Sequence, residues 1–124
     1  MAKRVVLVGH CGPDSSYLRT AIKAADRTAQ ILSAESEDEL TGVISGGVDL
    51  VLLNRQIDFG FPETEGVELI RRLRQSNPQL KTMLVSNYPE AQAAAVAAGA
   101  LPGFGKRELG SPHVVELLKS ALAT

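Results

Sequence analysis

The stretch Val48-Asp49-Leu50-Val51-Leu52-Leu53-Asn54 decides the fold. Leu50 to Leu53 run unbroken, with no polar residue alternating between them. An apolar run of this length reads as a strand buried on both faces, the pattern of a parallel sheet covered by helices. The run ends in a single polar residue, so Asn54 sits at the carboxyl tip of the strand. In open α/β sheets the ligand crevice lies outside those carboxyl ends. Asn54 is therefore placed for chemistry, but it brings a neutral amide that is a poor nucleophile.

The elements on either side follow one rhythm. Upstream, Arg4 to Gly9 reads as strand one. Asp14-Ser15-Ser16 offers cap residues for a helix to about Ala25, with Leu18, Ala21, Ile22 and Ala25 at helical spacing. Gln30 to Ala34 is a short second strand. Ser36 with Glu39 matches a capping box, and Leu40, Val43 and Ile44 supply the apolar stripe of helix two. Gly46-Gly47 ends that helix and leads into strand three, Val48 to Leu53.

Downstream, a loop carrying Gly60, Pro62 and Gly66 is long enough to cover the crevice. Helix three runs from about Glu65 to Ser76, burying Val67, Ile70 and Leu73, and Asn77-Pro78 stops it. Thr82 to Ser86 is strand four. Asn87 with Glu90 matches a second capping box ahead of an alanine-rich helix four that closes at Gly99. Leu101 to Gly105 is a weak fifth strand, interrupted by Pro102 and Gly103. Ser111-Pro112 caps helix five, whose Val114, Val115, Leu117, Leu118 and Leu122 face the core. A βα unit repeated five times, with right-handed crossovers, predicts a three-layer α/β/α doubly wound parallel sheet. Its strand order is the flavodoxin-like 2-1-3-4-5.

Composition narrows the function. The 124 residues suit one domain, 1-124, with one core. A net charge of -1 gives no drive toward nucleic acid or an anionic membrane. The basic group Arg71, Arg72 and Arg74 reads as the solvated face of helix three. No apolar run approaches the ~20 residues of a membrane span, and Met1-Ala2-Lys3-Arg4 shows no signal peptide. A single Cys11 cannot pair within the chain, so the cytoplasm is the expected home. No nucleophile–base pair for a hydrolase or nucleotide enzyme is visible, and the expectation is a non-enzyme.

With the elements placed, the chain resembles the receiver domain of two-component response regulators. The resemblance rests on Asp49 to Asn54, Gly66-Val67-Glu68-Leu69-Ile70-Arg71-Arg72-Leu73-Arg74, Met83-Leu84-Val85-Ser86, Ala98-Gly99-Ala100 and Lys106. It implies a phosphorelay pocket. There, an aspartate on strand three accepts a phosphoryl group, and an acidic pair after strand one helps it hold Mg²⁺. A Ser or Thr after strand four and a Lys after strand five contact the phosphoryl oxygens.

Matched by position, Ser86 and Lys106 are retained and the acids are gone. Asn54 replaces the acceptor, and Gly9-His10 stands where the acidic pair would be. Arg107 replaces the proline that usually follows the lysine, so a cis bond there is not expected. Cys11-Gly12-Pro13 looks like a small insertion. The implied reading is a degenerate, or pseudo-, receiver that cannot accept phosphate and acts by protein–protein contact. Mg²⁺ binding is expected to be weak or absent. Lys106 is then free to donate to the Asn54 amide oxygen or to a backbone carbonyl.

Other readings of the same residues stay open. Asp14 is either a helix N-cap or a displaced acid, and Asp58 on the long loop either a solvated acid or a displaced acceptor. Gly9, His10 and Cys11 either line the crevice as a turn or form part of a ligand, metal or redox sensor. The resemblance places an output face on helix four, strand five and helix five, with Tyr88 and Phe104 near it. The expected partners there are a histidine kinase, an output domain, another signalling protein or a second copy of the chain.

Overall fold

The computed structural model describes residues 2–57 and 60–123. Its strands are β1 (Arg4–Val8), β2 (Gln30–Ala34), β3 (Leu50–Asn54), β4 (Thr82–Val85) and β5 (Leu101–Phe104). The helices are α1 (Gly12–Ala25), α2 (Glu37–Ser45), α3 (Gly66–Ser76), α4 (Pro89–Ala97) and α5 (Pro112–Leu122), with a 3₁₀ turn at Lys106–Glu108. The strands form one sheet in the order β2-β1-β3-β4-β5, and every pairing is parallel. This is the flavodoxin-like architecture expected from the sequence.

The strands alternate which face they serve, and both faces are buried. Val5, Leu7, Leu50, Leu52, Met83 and Val85 pack against α1 and α5. Val6, Val8, Val51, Leu53 and Leu84 pack against α2, α3 and α4 through Leu40, Leu69, Ile70, Leu73 and Ala95. The unbroken apolar run of β3 is thus explained by two cores, one on each face of the sheet. Truncating a leucine such as Leu53 to alanine costs about 2–5 kcal/mol at a site of this kind.

The helix starts show where local sequence decided and where it did not. Ser36 caps α2 as expected, its Oγ accepting from the Glu39 N–H at 3.2 Å. The return bond from Glu39 goes one residue further back, to the Glu35 N–H. Helix α1 begins two residues before Asp14, with Cys11 at the N-cap and Pro13 in the first turn. Asp14 is therefore not the cap, and Cys11-Gly12-Pro13 is helix start rather than inserted loop. Proline suits the first turn because its missing N–H would have no helical partner there.

The Asn87–Glu90 capping box does not form either. Tyr88 is the N-cap of α4, with no side-chain cap bond. The Asn87 Oδ1 instead accepts from the Arg107 N–H at 3.0 Å. Ser111 stands at the N-cap of α5 but its hydroxyl makes no cap bond. No cis peptide occurs among the described residues, in line with Arg107 replacing a proline.

Arg72 is a structural node, not a solvated side chain. It donates to both carboxylate oxygens of Glu37, at 3.0 and 2.6 Å. It also donates to both oxygens of Glu63. One guanidinium thereby ties α3 to the start of α2 and to the loop before α3. Paired this way, it holds the Glu63 carboxyl below the usual carboxylate range.

Candidate functional site

The carboxyl ends of β1, β3, β4 and β5 open onto two adjoining clefts. Asn54 and Lys106 line both. The smaller cleft, about 260 Å³, has Arg55, Ser86, Asn87 and Tyr88 on its other walls. The larger, about 510 Å³, is bounded by His10, Cys11, Asp14 and Ile57 among others. The fold therefore gathers Gly9, His10, Cys11, Asp14, Asn54, Ser86 and Lys106 in one place. Asp58 lies outside the described residues.

Asn54 ends β3 paired in register with Val85. Its amide Nδ2 donates to the Gln56 carbonyl oxygen at 2.9 Å, which fixes the amide orientation and leaves Oδ1 as the free acceptor. Behind it, α3 approaches closely: a Cβ on Gly66 would stand 2.2 Å from the Asn54 carbonyl oxygen. Only glycine lets the first turn of α3 come so near the strand tip.

Lys106 does not reach Asn54 in the way the sequence suggested. Its Nζ lies 2.8 Å from Asp14 Oδ2. The Lys106 ammonium holds the Asp14 carboxyl below the usual carboxylate range. The pair joins the first turn of α1 to the turn after β5. Asp14 also sits where a helix N-terminus favours a negative charge.

The two positions matching the missing acids are occupied by packing. Gly9 has φ +76°, a left-handed conformation, and a Cβ there would meet Ile57 Cγ2 at 2.6 Å. Ile57 itself is buried. The long loop thus reaches the crevice with two apolar side chains, Ile57 against Gly9 and Phe61 on the wall of the larger cleft. It is fastened on the β2–α2 side, where the Glu37 N–H donates to the Gly60 carbonyl at 2.7 Å. His10 is buried, with Nε2 donating to the Leu52 carbonyl at 2.9 Å. That bond assigns the proton to Nε2, since the carbonyl can only accept. Burial pushes the imidazole below its usual pKa, so it is neutral at pH 7.

Ser86 is buried, and its Oγ accepts from the Tyr88 N–H at 3.2 Å. Tyr88 is half exposed, and the Arg55 guanidinium stacks over its ring at 4.7 Å from the centroid. Phe104 is fully buried in the α1–α5 core, so it does not contribute surface to an output face.

Sequence reasoning passed over Arg55 and Gln92 and read Asn87 only as a helix cap. Gln92 lay hidden in an alanine-rich helix that reads as plain surface. Its Nε2 reaches the carbonyls of Leu84, Ser86 and Phe104 at 2.9, 3.1 and 3.2 Å. It bridges β4 and β5 beyond the register shift between Met83 and Val85.

The residues do not fit the Mg²⁺ site that the resemblance implies. Mg²⁺ takes hard oxygen ligands, carboxylates above all. Asp14 is committed to Lys106, position 54 supplies a neutral amide, and positions 9 and 10 carry no acid. Among the described residues no three His, Cys, Asp or Glu side chains converge on a metal position. No described helix is long and apolar enough to cross a membrane.

No protein-family model matches the chain, and no curated protein sequence matches it. Solved structures match it along its length. The signal receiver domain of the DNA-binding response regulator merR from Colwellia psychrerythraea 34H has a TM-score of 0.75 at 15% identity, covering 100% of each chain. A response regulator from Thermotoga maritima has a TM-score of 0.74 at 22% identity, again over 100% of each chain. The receiver domain of NtrX from Brucella abortus has a TM-score of 0.73 at 19% identity, over 98% of this chain and 99% of that one. The chain has the fold of response-regulator receiver domains.

Proposed function

We propose that this receiver fold serves as a non-catalytic signalling module that does not accept phosphate at position 54 and acts by protein–protein contact. The observation that carries the reading is Asn54 at the tip of β3, with the Lys106 ammonium paired to Asp14. An amide cannot form the acyl phosphate that a carboxylate forms. The acids that would gather Mg²⁺ are replaced by a glycine under Ile57 and a neutral buried histidine. Lys106, without an acceptor carboxylate at position 54, is paired already, which favours one state of the crevice.

Contact with a partner, or with a second copy of the chain, is proposed for the α4–β5–α5 side, where Tyr88 and Val96 are exposed. The test is an amide ¹H–¹⁵N spectrum with and without acetyl phosphate and Mg²⁺. The expected result is no change at Ser86, Lys106 or along α4 and β5. Slow-exchange shifts spreading from the crevice to α4 would contradict the proposal.

A further inference from the structure

The two edges of the sheet differ in what they offer a neighbouring chain. β5 carries Pro102, which has no N–H, and Gly103, and its register with β4 shifts between Met83 and Val85. An edge built this way resists further pairing. β2, at the opposite edge, has no proline, glycine or charged residue over Gln30–Ala34.

The Gln30 N–H donates to the Lys3 carbonyl, on the β1 side. Peptide groups alternate sides along a strand, so the N–H and C=O of Ile31 and of Ser33 face outward. Among the described residues no turn or loop bonds to those four groups. Arg19 reaches Ser33 through the hydroxyl, Nη2 to Oγ at 3.1 Å, and not through the backbone. Ile31 packs on the α1–α5 core and Leu32 on the other, and each is only partly buried.

The charges beside this strand are segregated by end. Lys23 and Arg27 lie at its amino end, where the Lys23 Nζ donates to the Ala29 carbonyl at 2.6 Å. Asp26 there is bonded back to Thr28. Glu35, Asp38 and Glu39 lie at the carboxyl end, where the Glu39 Oε1 accepts from the Glu35 N–H. Among the described residues, Lys23, Arg27, Glu35, Asp38 and Glu39 make no ion pair. A strand with cations at one end and anions at the other is complementary to an antiparallel copy of itself.

We propose that β2 pairs antiparallel with β2 of a second copy across a two-fold axis at Leu32, joining the two sheets into one. Ile31 then faces Ser33 of the partner subunit and the reverse, which uses all four outward groups. Leu32 meets its own copy. Ala29 stands opposite Glu35 of the partner subunit, which brings the Lys23 ammonium to that carboxylate, twice by symmetry. The pairing ends there, because Gly60 lies against the Glu35 carbonyl. The two-fold closes the assembly at two copies. It leaves the α4–β5–α5 side, at the far edge of each sheet, open for the contact proposed above.

Sedimentation equilibrium of the whole chain tests this. A monomer–dimer equilibrium is expected with a dissociation constant of ~10–500 μM, the range for a small interface, weakening several-fold between ~50 and ~500 mM salt. Ser33→Pro removes an outward N–H and spares the bonds to β1. It is expected to weaken the dimer about tenfold or more with an unchanged circular dichroism spectrum. Lys23→Glu and Glu35→Lys are each expected to weaken it, and the double variant to restore it, which a folding defect cannot do.

A wild type that stays monomeric at ~1 mM, or that grows beyond a dimer, overturns the proposal. Single charge variants that dimerise like the wild type also overturn it. So does a dimer that survives Ser33→Pro and is lost in Val96→Glu, since that places the contact on α4. None of these results bears on phosphate acceptance at position 54, so this inference can fail while the proposed function stands.

Discussion

Replacing Asp14 with asparagine tests the Asp14–Lys106 pair directly. The Nζ–Oδ2 distance is 2.8 Å, and the side chains are 21% and 36% exposed, Asp14 and Lys106 respectively. A buried charge-assisted bond is worth about 1.5–3 kcal/mol, but solvent screening at this exposure brings the pair to about 0.5–1 kcal/mol. The position in the first turn of α1 adds a few tenths from the helix dipole. Asp14→Asn is therefore expected to cost about 1 kcal/mol at pH 7, or roughly 3–5 °C in Tm for a chain of this size.

The pH dependence separates this origin from packing. Lys106 lowers the folded-state pKa of Asp14 below its unfolded value near ~3.9. Unfolding therefore takes up a proton in the window between the two values. The contribution is fully present above the unfolded value and is lost as pH falls through the folded one. In urea denaturation, the gap between wild type and variant should hold from about pH 5 to 8 and close at more acidic pH. A gap that persists unchanged in acid, or no gap at pH 7, would refute the reasoning.

Other perturbations follow from the same geometry. Arg72→Ala leaves Glu37 and Glu63 without their shared cation and should cost about 1–3 kcal/mol at pH 7. The share held by the lowered Glu63 pKa should fade as pH drops below ~4, measured as the denaturation midpoint against pH. Gly66→Ala forces a Cβ against the Asn54 carbonyl; a loss of about 1–3 kcal/mol is expected, and calorimetry reads it as a lower Tm. Gln92→Leu removes the donor shared by the Leu84, Ser86 and Phe104 carbonyls. It should cost about 1–3 kcal/mol and speed amide exchange along β5, with little effect on β1.

β1, β3 and β4 were legible because their apolar runs are local and uninterrupted, and β5, broken by Pro102 and Gly103, was legible only weakly. Val48 to Asn54 declared β3 to within two residues at its start. Asp49 falls outside the strand, its carboxylate accepting from the Arg4 N–H. The start of α1 was misjudged because Cys11-Gly12-Pro13 carries loop-forming residues. Proline near a helix start was the signal to the contrary.

Side-chain roles set by distant partners could not be read locally. Asn87 matches a cap by spacing, yet its oxygen serves an N–H 20 residues away. Arg72 looks solvated until Glu37 and Glu63 arrive from two other segments. The candidate site was legible as a set of positions, from Gly9 through Asn54 and Ser86 to Lys106. Its partner choices were not: Lys106 turned to Asp14, and Ile57 came from the loop to close the space beside Gly9.

The account stands most directly on one measurement: the intact mass of the wild-type protein after incubation with acetyl phosphate and Mg²⁺, repeated after hydroxylamine. The predicted result is the unmodified mass in both samples. A phosphate adduct that hydroxylamine removes would contradict the account, because it would place an acyl phosphate on a carboxylate of this chain. Its loss in Asp14→Asn would name Asp14 as the acceptor.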